Sequence, residues 1–284
     1  MSSDPQKYHE DIIHFLIKLL FESTKIDSLV NHLAQARLGG GPTLLPPKTL
    51  DVPGLNEAYQ AQQKLHEYLS PRGFGPLVGY KIGCTTKVMQ EFLSIDHPCS
   101  GEIFKSTVFD EKAELNLSDF HRIGVECEIA ARLSRDLPET GTPYDRGNVA
   151  DAVGALMAGI ELVDDRYDDY TAFPTPILVA DDFFNSGVVL SKEKTSWKSL
   201  DLLKLEGVMR IDDVEVGRGS GADILGHPME ALAWLANHCI SLGAPLKKGK
   251  FIMLGSVVKT VFIEQPATVS IRFDELGEAS VRFL

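Results

Sequence analysis

The chain is short of basic charge, of cysteine and of long apolar runs, and each shortage excludes a class of function. Lys and Arg number 28 against 40 Asp and Glu, a formal net charge of −12 over 284 residues. Binding along a phosphate backbone needs clustered Lys and Arg, so a nucleic-acid partner is not expected. The four cysteines, Cys84, Cys99, Cys127 and Cys239, form no CxxC pair and show no short Cys/His ligand spacing. That argues against a disulfide framework and against a structural zinc site. The longest apolar run, Ile12 to Phe21, is broken by His14 and Lys18 and is too short to span a bilayer. Asp4, Glu10 and Asp11 stand where a secretory leader carries basic residues. A cytoplasmic protein with no membrane partner is expected.

What is present is ordinary for a folded protein: 44% hydrophobic and 24% charged residues, enough for one large domain or two small ones. Residues 1–70 read as a helical region. Ile12, Leu16 and Leu19 fall on one helical stripe, a second helix fits Ile26 to Ala36, and a third runs from near Pro53 to Tyr68. From 71 to 284 short β-like runs dominate, at Leu77–Ile82, Gly124–Arg132, Val188–Leu190, Gly207–Ile211, Phe251–Leu254, Val269–Phe273 and Ala279–Phe283. Two helices, Asn148 to Ala158 and Met229 to Ser241, are expected among them. Strands and helices do not alternate, so the reading is α+β, a helical N-terminal region on a β-rich body, rather than a doubly wound sheet.

The sharpest local feature is Gly124-Val125-Glu126-Cys127-Glu128-Ile129-Ala130. On a strand, Glu126 and Glu128 share one face while Val125, Cys127 and Ile129 share the other. Two neighbouring carboxylates on an apolar strand repel each other and resist desolvation, a cost that a hard divalent cation cancels. Glu161, in Ala158-Gly159-Ile160-Glu161-Leu162-Val163, is a third carboxylate in an apolar setting. The alternative is a solvent-facing pair with the apolar side inward. Lys81, in Gly79-Tyr80-Lys81-Ile82-Gly83, lies between glycines that permit close approach of a ligand; it reads equally as an edge lysine that blocks aggregation.

Other motifs carry less. Gly217-Arg218-Gly219-Ser220-Gly221 lacks the GK[ST] ending of a phosphate loop and follows a hairpin turned at Asp212-Asp213. The acidic run Asp164 to Asp169 reads as a solvated loop or as a second metal site. No serine lies in a G-x-S-x-G elbow, so a serine hydrolase is not supported.

In combination the segments point further. Residues 79–85 (GYKIGCT), 124–130 (GVECEIA), 160–167 (IELVDDRY) and 179–182 (VADD) occur in one order with 217–228 (GRGSGADILGHP), 231–238 (ALAWLANH) and 254–256 (LGS). From about residue 10 to its end the chain resembles the 2-oxopent-4-enoate hydratases, in the hydratase/decarboxylase branch of the fumarylacetoacetase superfamily. The resemblance implies a mixed β-sandwich or β-roll body and a homo-oligomer. It implies Mg²⁺ or Mn²⁺ held by Glu126, Glu128 and Glu161, an active-site lysine at Lys81, and a turn beside the substrate at Gly255 and Ser256. The implied activity is addition of water to a 2-hydroxyalka-2,4-dienoate, a small 2-oxo acid in its enol form, giving a 4-hydroxy-2-oxo acid. Decarboxylation of a 2-oxo-3-enedioate, C–C hydrolysis of an acylpyruvate and a non-catalytic 2-oxo-acid-binding homologue are the alternatives. One position departs from the pattern: Cys99 stands where such hydratases carry an aspartate partner for the lysine, with Asp96, His97 or Glu102 as candidate substitutes.

Overall fold

A computed structural model describes residues 25–39 and 54–284 of the chain. The helical stripe at Ile12 to Leu20 and the start of the third helix lie outside these residues. Helix α1 spans residues 25–39, and α2 spans Leu55–Leu69. Strands β1 (Leu77–Gly83), β2 (Cys99–Phe104), β3 (Val108–Asp110) and β4 (Lys112–Leu115) precede the long central pair β5 (Ile123–Leu133) and β6 (Val153–Asp164). Then come β7 (Asn185–Leu190), β8 (Glu206–Ile211), β9 (Val214–Ser220), β10 (Phe251–Ser256), β11 (Val261–Phe262), β12 (Ala267–Phe273) and β13 (Gly277–Phe283). Short helices α3 (Lys87–Phe92), α4 (Arg146–Val149) and α5 (Thr175–Ala180) and the longer α6 (Pro228–Ser241) interrupt them. Among the described residues no helix is long and apolar enough to cross a membrane.

The strands form two mixed sheets, and the class is α+β. The larger runs β2-β1-β10-β5-β6-β7-β3 with β11 alongside β5; the smaller runs β4-β13-β12-β8-β9. The two-residue period of β5 sorts its side chains. Ile123, Val125, Cys127, Ile129, Ala131 and Leu133 all enter the core between the sheets. They meet Val269, Ile271 and Phe273 of β12, Val281 and Phe283 of β13, and Leu232 and Leu235 of α6. On the opposite face the larger sheet curls, so that Ile103 of β2 packs with Val188 of β7 and with Met157 and Met253. Glu126, Glu128 and Glu161 belong to this inner face.

A separate apolar cluster holds the helices to the body. Leu29 and Leu33 of α1 and Leu65 and Leu69 of α2 are fully buried with Phe104, Ile177 and Leu178. Each buried leucine contributes about 2 kcal/mol, so these helices share a core with β2 and α5. In α2, Ala58, Ala61, Leu65 and Leu69 recur at helical spacing, and Gln62 donates to Ser100 O (3.0 Å) and Val179 O (2.7 Å).

The helix expected over Asn148 to Ala158 is replaced by a strand. α4 ends at Val149, a short 3₁₀ turn covers Ala150–Ala152, and β6 begins at Val153. β6 is buried on both faces, and such a strand is a continuous apolar run without the alternation that distinguishes strand from helix. The hairpin expected at Asp212-Asp213 is present, both residues having positive φ (48° and 66°) as a tight turn requires. The glycines after it serve packing: a Cβ on Gly219 would lie 1.9 Å from Val257 O. Gly219→Ala is therefore expected to cost about 3 kcal/mol. A thermal melt checks this, with a midpoint lowered by about 5–10 °C.

Candidate active site

Register brings the acidic residues together. Glu126 of β5 pairs directly with Glu161 of β6, and Glu128 pairs with Gly159 on one side and Ser256 of β10 on the other. Carboxylate oxygens of Glu126, Glu128 and Glu161 lie within 4.8 Å of one another. Glu128 and Glu161 are 0% exposed, which excludes the solvent-facing reading, and Glu126 is half-buried. Lys81, 4% exposed on β1, reaches the same cluster, with Nζ 3.4 Å from Glu161 Oε1 and donating to Phe183 O at 3.1 Å. The edge-lysine reading fails with it.

The hydrogen bonds leave a gap that a cation fits. Glu128 Oε2 accepts from Gly255 N–H (3.0 Å), and Glu161 Oε1 accepts from Asn185 Nδ2 (3.0 Å). Glu128 Oε1 and Glu161 Oε2 are buried with no partner. Thr260 Oγ1 donates to Glu126 Oε1. At this spacing each carboxylate pair repels by about 3 kcal/mol even at an effective dielectric of about 20. Burial, then Glu161 and Glu126, push the Glu128 carboxyl well above its usual range; burial also raises Glu161. Burial disfavours the Lys81 ammonium, but Glu161, Glu126 and Glu128 outweigh it and hold the amine charged. Three carboxylates against one ammonium leave two negative charges, which one divalent cation balances. All-oxygen ligands suit a hard ion.

Gly255 and Ser256 lie on β10 beside this cluster, Ser256 paired with Glu128. Gly255 has φ +123° and uses its N–H to hold Glu128. Ser256 Oγ accepts from Cys127 N–H (3.1 Å) and donates to Val258 O (2.6 Å). Its hydroxyl fastens main chain to main chain, which fixes the turn beside the carboxylate cluster.

The lysine has no carboxylate partner on β2. Lys81 pairs with Gly101 and Gly83 with Cys99, so Cys99 lies on the Lys81 face while Ser100 and Glu102 point the other way. Glu102 instead approaches His66 of α2 (3.6 Å). The Asp96 side chain is 98% exposed, and His97 stacks on Trp234. None of the three candidates replaces the missing aspartate. Cys99 is fully buried and hydrogen-bonded through its side chain to Cys84. That bond, with help from Lys81, lowers the Cys84 thiol below its usual range.

Several site residues carried no local signal. The acidic run at 164–169 divides: Asp164 accepts from the His121 and Arg122 amides (3.0 and 2.8 Å), whereas Asp168 and Asp169 are exposed. Buried Arg166 and Tyr167 both reach Asp181 Oδ2 (2.9 and 2.8 Å), and Arg37 Nε reaches Asp181 Oδ1 (2.7 Å). The adjacent Asp182 binds His66 Nε2 (2.8 Å) and accepts from Glu102 N–H (3.0 Å). The Val179-Ala180-Asp181-Asp182 motif marked this segment, but its partners lie too far away in sequence to be read.

Comparison with known proteins places the chain and its fold among described relatives. The profile of the fumarylacetoacetate (FAA) hydrolase C-terminal family matches residues 96–283. A 2-keto-4-pentenoate hydratase of Burkholderia vietnamiensis (strain G4 / LMG 22486) is 29% identical over 264 residues, covering 92% of this chain and 98% of that protein. A 2-hydroxyhexa-2,4-dienoate hydratase of Comamonas testosteroni is 33% identical over 213 residues, 73% of this chain and 78% of that one. Among solved structures, 4-oxalocrotonate decarboxylase from Pseudomonas putida G7, complexed with magnesium and adipate, superposes with a TM-score of 0.84 at 25% identity. That match covers 92% of this chain and 98% of the other. With a family profile matching residues 96–283, about two thirds of its length, the chain belongs to the fumarylacetoacetate hydrolase family.

Proposed function

We propose that the protein is a divalent-metal-dependent hydro-lyase that adds water to a 2-hydroxyalka-2,4-dienoate and releases a 4-hydroxy-2-oxo acid. The observation that carries this reading is the buried triad Glu126, Glu128 and Glu161 with the Lys81 ammonium 3.4 Å from one of its oxygens. Hydratases among its relatives support the substrate class. Mg²⁺ or Mn²⁺ is the proposed ion, a small 2-oxo acid the substrate, a homo-oligomer the assembly and the cytoplasm the location.

The three glutamates would hold the ion, which when bound supplies Lewis-acid charge to the carboxylate and keto oxygens of a 2-oxo acid. The chain's own groups do the rest. The substrate is ketonised as a proton arrives at C5 and the C2 hydroxyl gives up its own proton to water, leaving C2=O and C3=C4. A water oxygen then bonds to C4 while one of that water's protons is lost and a proton is delivered to C3. Lys81 Nζ, kept charged and fixed by Phe183 O, is the donor held at the cluster for these transfers. Asn185 and the Gly255 amide keep Glu161 and Glu128 turned toward the ion site, which limits rearrangement during the reaction.

One observation favours a second reading. The β2 residues facing Lys81 are Gly101 and Cys99, which carry no carboxylate. Loss of CO₂ from a 2-oxo-3-enedioate needs the electron sink but no activated water, so such a decarboxylase fits the site as well.

The deciding assay follows ultraviolet loss of 2-hydroxypenta-2,4-dienoate with Mg²⁺, with Mn²⁺ and with EDTA, with product identification. Metal-dependent formation of 4-hydroxy-2-oxopentanoate is expected. No consumption of the diene by metal-loaded protein, together with CO₂ release from an oxo-enedioate, would replace the hydratase by the decarboxylase.

A further inference from the structure

Residues 182–184 form an unusual turn. Asp182, Phe183 and Phe184 have φ of 56°, 49° and 70°, three successive non-glycine residues in the left-handed region. Side chains at such angles clash with their own backbone, and a run of them persists only where surrounding contacts over-determine it. The contacts are present and they converge on Asp182. His66 Nε2 lies 2.8 Å from Oδ1 and 2.9 Å from Oδ2, Arg37 Nη2 lies 3.2 Å from Oδ2, and Glu102 N–H donates to Oδ1 at 3.0 Å. Asp182 is fully buried and His66 nearly so. Burial opposes both charges, but each outweighs it for the other: His66 is raised to about 9 and Asp182 lowered to about 2. The ion pair is therefore intact at neutral pH.

The turn faces Lys81. Phe183 O accepts from Lys81 Nζ at 3.1 Å, and the ammonium lies 5.6 Å from the Phe183 ring centroid. β2 leaves room for this approach: a Cβ on Gly101, the strand partner of Lys81, would lie 3.0 Å from Asp182 O. The strained peptide thus holds the same ammonium that reaches Glu161, by a carbonyl where β2 offers no carboxylate.

We infer that Asp182 and His66 are positioning residues for Lys81, holding the 182–184 turn in its left-handed form so that Phe183 O fixes the ammonium at the carboxylate cluster. The inference rests on the functional reading above only for its kinetic arm. Their polar partners are each other, Arg37 and Glu102 rather than the three glutamates, and they act on the lysine through Phe183.

The test compares Asp182→Ala, Asp182→Asn and wild type, full-length and loaded with Mn²⁺. Asparagine keeps an acceptor oxygen and tolerates left-handed φ, whereas alanine does neither. Three readouts are taken on each: Mn²⁺ affinity, the rate of Lys81 reductive methylation followed by peptide mass spectrometry, and kcat and KM with 2-hydroxypenta-2,4-dienoate. For the alanine variant, Lys81 labelling is expected to rise about 10-fold and kcat to fall about 10- to 100-fold, with KM and Mn²⁺ affinity within about 2-fold. The asparagine variant should recover most of both losses. A folded alanine variant with unchanged Lys81 labelling overturns the inference, as does a matching loss of Mn²⁺ affinity, which would mean general collapse of the site. If Asp182→Ala does not fold, His66→Phe, which keeps a ring against Phe104, takes its place in the same comparison. Absence of turnover by the wild type would sink the hydratase reading alone, since the labelling arm decides the positioning role without it.

Discussion

Replacing Glu128 with alanine is expected to abolish divalent-ion binding and, with it, turnover. Glu128 is fully buried, as is Glu161, and each has one oxygen buried without a partner. Such atoms are costly unless something not made of protein fills the space between them. Removing Glu128 leaves two carboxylates against the Lys81 ammonium, so the charge drawing in a dication is halved and a ligand is lost. Ion affinity should fall more than about 100-fold, beyond what loss of a supporting hydrogen bond produces. Calorimetric titration with Mg²⁺ and Mn²⁺ measures this. A thermal melt gives an independent reading: added ion should raise the wild-type midpoint and leave the variant unmoved, because only a state that binds is stabilised by ligand. Glu128→Gln keeps the acceptor for Gly255 N–H and should fail in the same way, which separates loss of charge from loss of packing. Unchanged ion affinity and rate in either variant would defeat the assignment of the triad as a metal centre.

Lys81→Ala is expected to separate binding from chemistry. The lysine stands beside the triad as a cation, so its loss removes no ligand and cancels no ion charge; Mn²⁺ affinity should hold or tighten. The rate should fall by about 10²–10⁴, the range for loss of a positioned proton donor. KM should change far less than kcat, because the group acts on the reacting carbons rather than on the chelating end of the substrate. The same titration and diene assay read both quantities. An equal fall in ion affinity would make Lys81 a structural counter-charge, and unchanged kcat would remove it from the mechanism.

How much of this was legible follows from the range of each signal. The pairing of Glu126 and Glu128 on one face required only the two-residue period of a strand, and an apolar neighbourhood marked Glu161. That the three meet depends on the Glu126–Glu161 register between β5 and β6, and no local pattern encodes register across the connection from Leu133 to Val153. β6 was misjudged as partly helical because a strand buried on both faces has no alternation. Family resemblance supplied Lys81, and the ladder then showed why Glu102 cannot serve it: Tyr80 and Glu102 share the face turned toward α2. The main-chain hydrogen bonds of the Ser256 hydroxyl were not legible, since motif position does not say where a hydroxyl points. His66, Arg37 and Asn185 were invisible, each being an ordinary polar residue whose partner comes from a distant segment.

The position of β10 has a consequence for synthesis. β1 carries the lysine and β5 carries two of the glutamates, but they are not neighbours; β10 lies between them, parallel to β1 and antiparallel to β5. A nascent chain that has displayed Lys81 and all three glutamates still has no strand to join the two halves of the site until residues 251–256 leave the ribosome. Pairing β1 with β10 closes a loop of roughly 170 residues, the kind of non-local contact that slows folding. Until then β1 and β5 each present an unpaired edge, and an unpaired edge invites association with another chain. Any truncation before residue 251 therefore removes the strand that joins the lysine to the glutamates.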